Sequence, residues 1–278
     1  MTPKTLLITG CSTGIGYATA IYLRERGYTV IASARNSKAV ERLREEGFTA
    51  VTLDLADSNS IQQGFHQALE MAGGHLDALF NNAAFGLPGA VEDLSREALR
   101  HQFETNVFGT QELTNLAIAL MRKQGHGRII YNSSVLGLVA MTYRGAYNAS
   151  KYALEGLADT LRLELHNTGI QIVLIEPGPI ESQFRHNAFK LYQKFVVPHA
   201  SHRSAHLSAY DAMVTRLKQE GPAAPFTLPA EAVAHKVWLA LTAKRARPRY
   251  FVTFPTYLFA FLKRVLPATW LDVLLRQV

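Results

Sequence analysis

The sequence predicts an α/β protein built on one doubly wound parallel sheet, and three observations predict it. Short β-rich runs alternate with longer helical segments along most of the chain, which is the mark of strands joined by crossover helices. The runs are almost continuously apolar rather than alternating, as expected when helices cover both faces of the sheet. The 278 residues are 48% hydrophobic and 18% charged, a composition that supports a large packed core and excludes a mainly disordered chain.

Seven strands are expected, at Thr5 to Thr9, Thr29 to Ser33, Ala50 to Asp54, Ala78 to Asn81, Arg128 to Asn132, Gln171 to Ile175 and Tyr250 to Thr253. Between them fall helices at about Ile15 to Arg26, Lys38 to Glu46, Ser60 to Met71, Glu104 to Arg122, Tyr147 to His166 and Pro229 to Ala243. Residues from about 183 to 224 break this rhythm and read as a helical insertion, placed to act as a lid because it follows a strand's carboxyl end. A C-terminal extension from about 255 to 278 mixes Leu and aromatic residues with Lys263, Arg264 and Arg276, and Pro267 divides it. The whole chain, 1 to 278, reads as a single domain, without repeats or low-complexity tracts.

Cys11, the single cysteine, excludes an internal disulfide framework and any cysteine-rich zinc module. The first apolar run, Leu6 to Ile8, is too short for a signal-peptide core, and no stretch has the roughly 18 apolar residues of a spanning helix. A cytoplasmic location is the expectation. The net charge of +7 is uneven: residues 1–184 carry −3 and residues 185–278 carry +10. A basic rear half attracts nucleic acid, anionic lipid or a polyanionic cofactor, and charge alone does not choose among them.

Gly10-Cys11-Ser12-Thr13-Gly14-Ile15-Gly16 follows the first strand and opens the first helix. Exposed N–H groups and the helix dipole attract a pyrophosphate there, and glycines allow the tight turn and the close approach. After the second strand the chain reads Ser33-Ala34-Arg35-Asn36, with no acid to repel a 2′-phosphate and with Arg35 to receive one. NADP(H) is therefore the expected cofactor.

Tyr147 and Lys151 lie four residues apart, on one helical face, where the ammonium would stabilise a phenolate and draw the phenol's pKa down. Ser134, at the end of the fifth strand, offers a hydroxyl to polarise a carbonyl. With Thr9-Gly10-x-x-x-Gly14-Ile15-Gly16, Asn81-Asn82-Ala83-Ala84, Asn106, Ser134, Tyr147-x-x-x-Lys151 and Pro177-Gly178 in this order, residues 5 to about 182 resemble the short-chain dehydrogenase/reductase family, with its Rossmann-type fold. The resemblance implies Tyr147 as proton donor or base, Lys151 as the group that lowers its pKa and holds the nicotinamide ribose, and Ser134 as partner of the substrate oxygen. It implies that Asn106 holds a relay water, that Asp54 and Leu55 meet the adenine, and that Asn82, Ala83 and Ala84 lie beside the adenosine ribose. Pro177, Gly178, Ile180 and Ser182 belong to the implied nicotinamide-side loop, and Gly10, Ser12, Thr13, Gly14, Ile15 and Gly16 to the phosphate turn. Ala84 stands where the family usually has Gly, which adds a methyl group near the cofactor, and Ser182 where it usually has Thr.

Cys11-Ser12-Thr13, Ser134-Val135-Leu136-Gly137, Lys151 to Gly156 and Glu176 to Ile180 are similar to hydroxysteroid and retinol dehydrogenases, and to bacterial NADP-dependent aldehyde reductases of that branch. Phe184, Phe189, Leu191, Tyr192 and Phe195 in the insertion favour a hydrophobic aldehyde or ketone, or its alcohol. No metal is expected: His199, His202 and His206 share a helical spacing but lack an acid among them. No nucleic-acid partner is expected, a homodimer or homotetramer is, and the tail covers a pocket or subunit or touches a membrane surface. The competing reading is a non-enzymatic NADP(H)-binding redox sensor, disfavoured because Asn106, Ser134, Tyr147 and Lys151 are all intact.

Overall fold

The computed structural model describes residues 4–200, 204–222 and 224–277. Seven strands, β1 (Thr5–Ile8), β2 (Thr29–Ala34), β3 (Thr49–Thr52), β4 (Ala78–Asn81), β5 (Gly127–Asn132), β6 (Ile170–Glu176) and β7 (Arg249–Phe251), all pair in parallel. Each expected strand is present. Their order is β3-β2-β1-β4-β5-β6-β7, so the winding reverses between β1 and β4 and opens a crevice at their carboxyl ends.

The helices are α1 (Gly14–Arg24), α2 (Ser37–Glu45), α3 (Ser58–Met71), α4 (Arg96–Phe103), α5 (Thr110–Gln124), α6 (Gly145–Glu164), α7 (Phe184–Phe195), α8 (Val197–Ala200), α9 (Leu207–Lys218), α10 (Glu231–Thr242), α11 (Phe254–Val265) and α12 (Ala268–Leu275). Successive strand residues face opposite ways, which splits the core in two. Leu6 and Ile8 of β1 pack with Ala20 and Leu23 of α1 and Val233 and Val237 of α10. Leu7 faces the other layer, with Ile61 of α3, Leu113 of α5 and Leu154 of α6.

The expected helix at Glu104 to Arg122 is not continuous. A π-helical turn, Glu104–Gly109, joins α4 to α5. Inside it the fully buried Asn106 accepts from the Phe85 N–H at 3.1 Å and donates to the Phe85 carbonyl at 2.9 Å, which pins the widened turn to the loop after β4. The unanticipated α4 is capped by Ser95, whose hydroxyl accepts from the Ala98 N–H at 3.1 Å. Its only buried side chains are Ala98 and Gln102, too few for an apolar period in the sequence.

The expected insertion is helical in α7 to α9 and is held down by polar latches. Ser204 donates to Asp93 at 2.6 Å, Tyr210 also donates to Asp93, and the Ala90 N–H donates to the Tyr210 hydroxyl at 3.0 Å. Of the three histidines at helical spacing, His202 and the side chain of His199 lie outside the described residues. His206 pairs with Glu92 at 2.5 Å as part of the same latch. Pro267 separates α11 from α12, as its missing N–H and fixed φ require. Among the described residues no helix is long and apolar enough to cross a membrane.

Candidate active site

At the carboxyl edge of β1 the chain turns through Gly10 and Gly14, both with left-handed φ (73° and 60°). A Cβ on Gly16 would lie 2.3 Å from the Gly10 carbonyl oxygen and 2.6 Å from the Asn82 amide nitrogen, so only glycine fits. Thr13 precedes α1 in extended conformation without a side-chain cap, and no acid stands in the first turn. The turn thus keeps backbone donors for an anion, as a dinucleotide's phosphates require.

Asn82 stitches this turn to β4, donating to the Thr9 carbonyl at 2.9 Å, while the Thr9 hydroxyl accepts from the N–H groups of Asn82 and Ala83, each at 2.9 Å. Half-buried Ala84 follows in the same loop. Arg35 is exposed just past β2, beside Asn36, which caps α2. Asp54 and buried Leu55 follow β3; the Asp54 carboxylate accepts from the Ala56 N–H at 3.0 Å. Half-buried Ile15 packs against the core beneath α1.

α6 carries Tyr147 and Lys151 on one face, with the Lys151 Nζ 5.6 Å from the Tyr147 ring centre. Lys151 is fully buried and donates to the Asn132 carbonyl at 2.6 Å. Ser134 stands extended at the start of a short turn, beside the Tyr147 hydroxyl. The Val135 N–H, next to it, donates to the Pro177 carbonyl at 2.8 Å, which ties the Ser134 loop to Pro177-Gly178. Ile180 bridges to Leu228, and Ser182 reaches back over Gly14. The phosphate turn, the phenol, the ammonium and this last loop therefore meet around one crevice.

Burial opposes the expected effect of Lys151 on the Tyr147 phenol. Burial is the largest influence on Tyr147 and pushes its phenol up to about 12, against the Ser134 hydroxyl and the Arg144 guanidinium. Burial likewise pushes the Lys151 ammonium down to about 8, with Glu155 opposing. Both amide protons of Asn106 are committed, to the Phe85 carbonyl at 2.9 Å and to the Ser150 hydroxyl at 3.1 Å. A relay water held there would have to donate to an Asn106 oxygen.

Behind α6 lies an ion cluster that no local pattern announces. Arg249 of β7 pairs with Glu155, with Glu176 and, at 2.8 Å, with Asp159, while Ser133 donates to Glu155. Burial raises both Glu155 and Glu176, and Arg249 counters it. In front, Phe184 of α7 meets the Tyr147 ring edge-on at 5.2 Å, and a Cβ on Gly86 would strike Phe184 at 2.6 Å. Gln102 holds that loop, donating to the Phe85 carbonyl at 2.7 Å and accepting from the Leu87 N–H at 2.8 Å. Arg42 of α2, paired with Glu46 at 3.3 Å, donates to the Ser12 carbonyl at 2.5 Å beside the phosphate turn. Apart from the pair of Arg42 with Glu46, each of these contacts joins distant segments.

The short chain dehydrogenase family model matches residues 4–193. The uncharacterised oxidoreductase YbbO of Escherichia coli K12 is 38% identical over 273 residues, covering 98% of this chain and 94% of that protein. The 17-beta-hydroxysteroid dehydrogenase type 1 of Homo sapiens is 31% identical over 91% of this chain and 78% of that protein. Among solved structures, a short chain dehydrogenase/reductase from Burkholderia phymatum in complex with NAD has a TM-score of 0.77 at 25% identity, covering 99% of this chain and 95% of the other. An actinorhodin polyketide ketoreductase with NADPH has a TM-score of 0.72 at 26% identity, covering 90% of this chain and 95% of the other.

Proposed function

This chain belongs to the short-chain dehydrogenase/reductase family, and on that premise we propose that it interconverts a hydrophobic aldehyde or ketone and its alcohol with NADP(H). The observation that carries the reading is the meeting of Ser134, Tyr147 and Lys151 beside a glycine turn that tolerates no side chain at Gly16. Bound NADPH supplies the hydride to the carbonyl carbon. Tyr147, a phenol kept protonated by burial, gives its proton to the carbonyl oxygen as the alcohol forms, and Ser134 donates a hydrogen bond to the same oxygen. Lys151, brought near neutrality, returns a proton to Tyr147. Arg35, followed by Asn36 rather than an acid, favours the 2′-phosphate. Phe184 against Tyr147 gives the substrate side an apolar wall, which favours long or aromatic carbonyls.

Turnover of carbonyls of graded chain length with NADPH and with NADH tests this. NADPH is expected to be preferred, with kcat/KM rising with chain length, and Tyr147→Phe is expected to lose about a hundredfold or more in kcat. Preference for NADH would overturn the role of Arg35, flat chain-length dependence would overturn the apolar wall, and intact turnover in Tyr147→Phe would overturn the mechanism.

A further inference from the structure

The opposite edge of the sheet, where the strands begin, holds a cluster the oxidoreductase reading does not use. His75 and Asp77 lead into β4, and His126 leads into β5. Because β4 and β5 pair in parallel, with Ala78 opposite Arg128, these lead-ins meet. The Asp77 Oδ1 lies 3.1 Å from the His75 Nε2 and 3.4 Å from the His126 Nε2, and the two rings are 5.4 Å apart.

The frame is fixed from behind. The other Asp77 oxygen, Oδ2, accepts from the Thr5 N–H at 2.8 Å, and the Asp77 N–H donates to the Thr5 carbonyl at 2.9 Å. The Gln124 amide accepts from the Leu76 N–H at 3.1 Å and donates to the Leu76 carbonyl at 3.0 Å. Burial pushes Asp77 up, but the Thr5 N–H and the two imidazoles outweigh it and hold the carboxyl below its usual range.

The orientation of the His126 ring is set by a backbone carbonyl. The His126 Nδ1 is 3.2 Å from the Gln124 carbonyl, which can only accept, so Nδ1 carries the proton. The ring's Nε2 then faces the Asp77 oxygen, and a positive charge between the two atoms, a proton or a metal ion in its place, holds them together. An N–H on the remote nitrogen bonded to a carbonyl is also the arrangement that orients metal-binding imidazoles. Ligand bonds of about 2.0–2.1 Å at tetrahedral angles put neighbouring ligand atoms about 3.3 Å apart, close to the 3.1 and 3.4 Å from the Asp77 oxygen to each imidazole, and all three ligand atoms lie within 4.8 Å of one another.

We propose that His75, Asp77 and His126 bind one divalent cation of the zinc class, clamping the lead-ins of β4 and β5. Two imidazoles and one carboxylate are borderline donors, suited to zinc rather than to calcium or magnesium. Both imidazoles are open to solvent, at 44% and 55% exposure, so an ion can reach them. A cavity of about 190 Å³, lined by Asp77, His126, Lys4 and Gln171 among others, adjoins the cluster and leaves room for water to complete the coordination. The cluster lies across the sheet from Tyr147, so its role is in stability rather than chemistry.

The test uses the untagged full-length chain stripped with chelator and titrated with Zn²⁺ by calorimetry, and with Co²⁺ by its visible absorption. One equivalent of zinc is expected to bind and raise the melting temperature, with cobalt giving the strong absorption of a tetrahedral site. His75→Gln and His126→Gln are each expected to weaken binding about tenfold or more, and the double variant to abolish it, with NADPH-dependent turnover unchanged. Both side chains are exposed, so these variants are expected to fold, and circular dichroism checks it. Failure of wild type to saturate below about 1 mM zinc, or undiminished binding in the double variant, would overturn the site. Neither result bears on the oxidoreductase reading, whose test is turnover.

Discussion

The floor of the crevice and its roof are built on different terms. On the floor, Lys151, Ser133, Glu155 and Glu176 are buried, and α6 is bound to β6 and β7 through Arg249. In the roof, α7 to α9 rest on latches at Asp93 and Glu92, and α11 and α12 leave Phe254, Tyr257, Phe261 and Trp270 exposed. Groups that must keep sub-ångström relations sit where displacement leaves charges uncompensated. Groups proposed to wall the substrate sit in the more exposed roof.

The largest separation of the two regions is expected from Arg249→Met. It leaves Glu155 and Glu176 buried without a counter-charge and is expected to cost roughly 3 kcal/mol in urea unfolding while leaving the ranking of substrates unchanged. Adding Glu176→Gln should restore part of that loss, and no restoration would break the assignment of the cost to stranded charge.

Gly16→Ala forces a methyl group against the Gly10 carbonyl and is expected to cost about 1–3 kcal/mol, read as weaker NADPH binding and a lower melting temperature. Phe184→Ala, in the roof, is the mirror image of Arg249→Met. Stability should change by under about 1 kcal/mol, while kcat/KM for long-chain carbonyls falls about tenfold and that for short ones is spared. An equal loss for both would remove Phe184 from the substrate wall.

A further effect is electrostatic. Lys151 titrates at about 8 in the folded chain against 10.5 ordinarily, so between those values the unfolded chain binds more protons. Its unfavourable contribution is therefore full below about pH 8 and is relieved as pH rises toward 10.5. Unfolding free energies at about pH 8 and about pH 10 should change more favourably for wild type than for Lys151→Met. Parallel behaviour would show that Lys151 is not desolvated.

Local physics made much of this protein legible in the chain itself. Short β-rich runs between turn signals and helical segments mark strands of a parallel sheet, so all seven were readable, six of them four to seven residues long and the half-buried β7 only three. Gly10, Gly14 and Gly16 declared their turn because no side chain fits it, and Tyr147 and Lys151 declared a shared face because four residues make about one helical turn. The polar α4 and the π-turn at Asn106 were not readable: one lacks an apolar period, and the other is held by Phe85, 21 residues away.

What the tertiary structure alone decided is which distant segments become neighbours. Arg249 reaches Glu155 across 94 positions, His126 reaches Asp77 only because β4 and β5 adjoin, and Phe184 comes to Tyr147 only because the insertion folds back over α6. The balance of burial against charge that raises Tyr147 and lowers Lys151 belongs to the same class. Spacing along a chain encodes geometry over a turn or a strand, whereas desolvation and long-range pairing depend on how crossovers stack whole elements, and that is settled only when the sheet has closed its order.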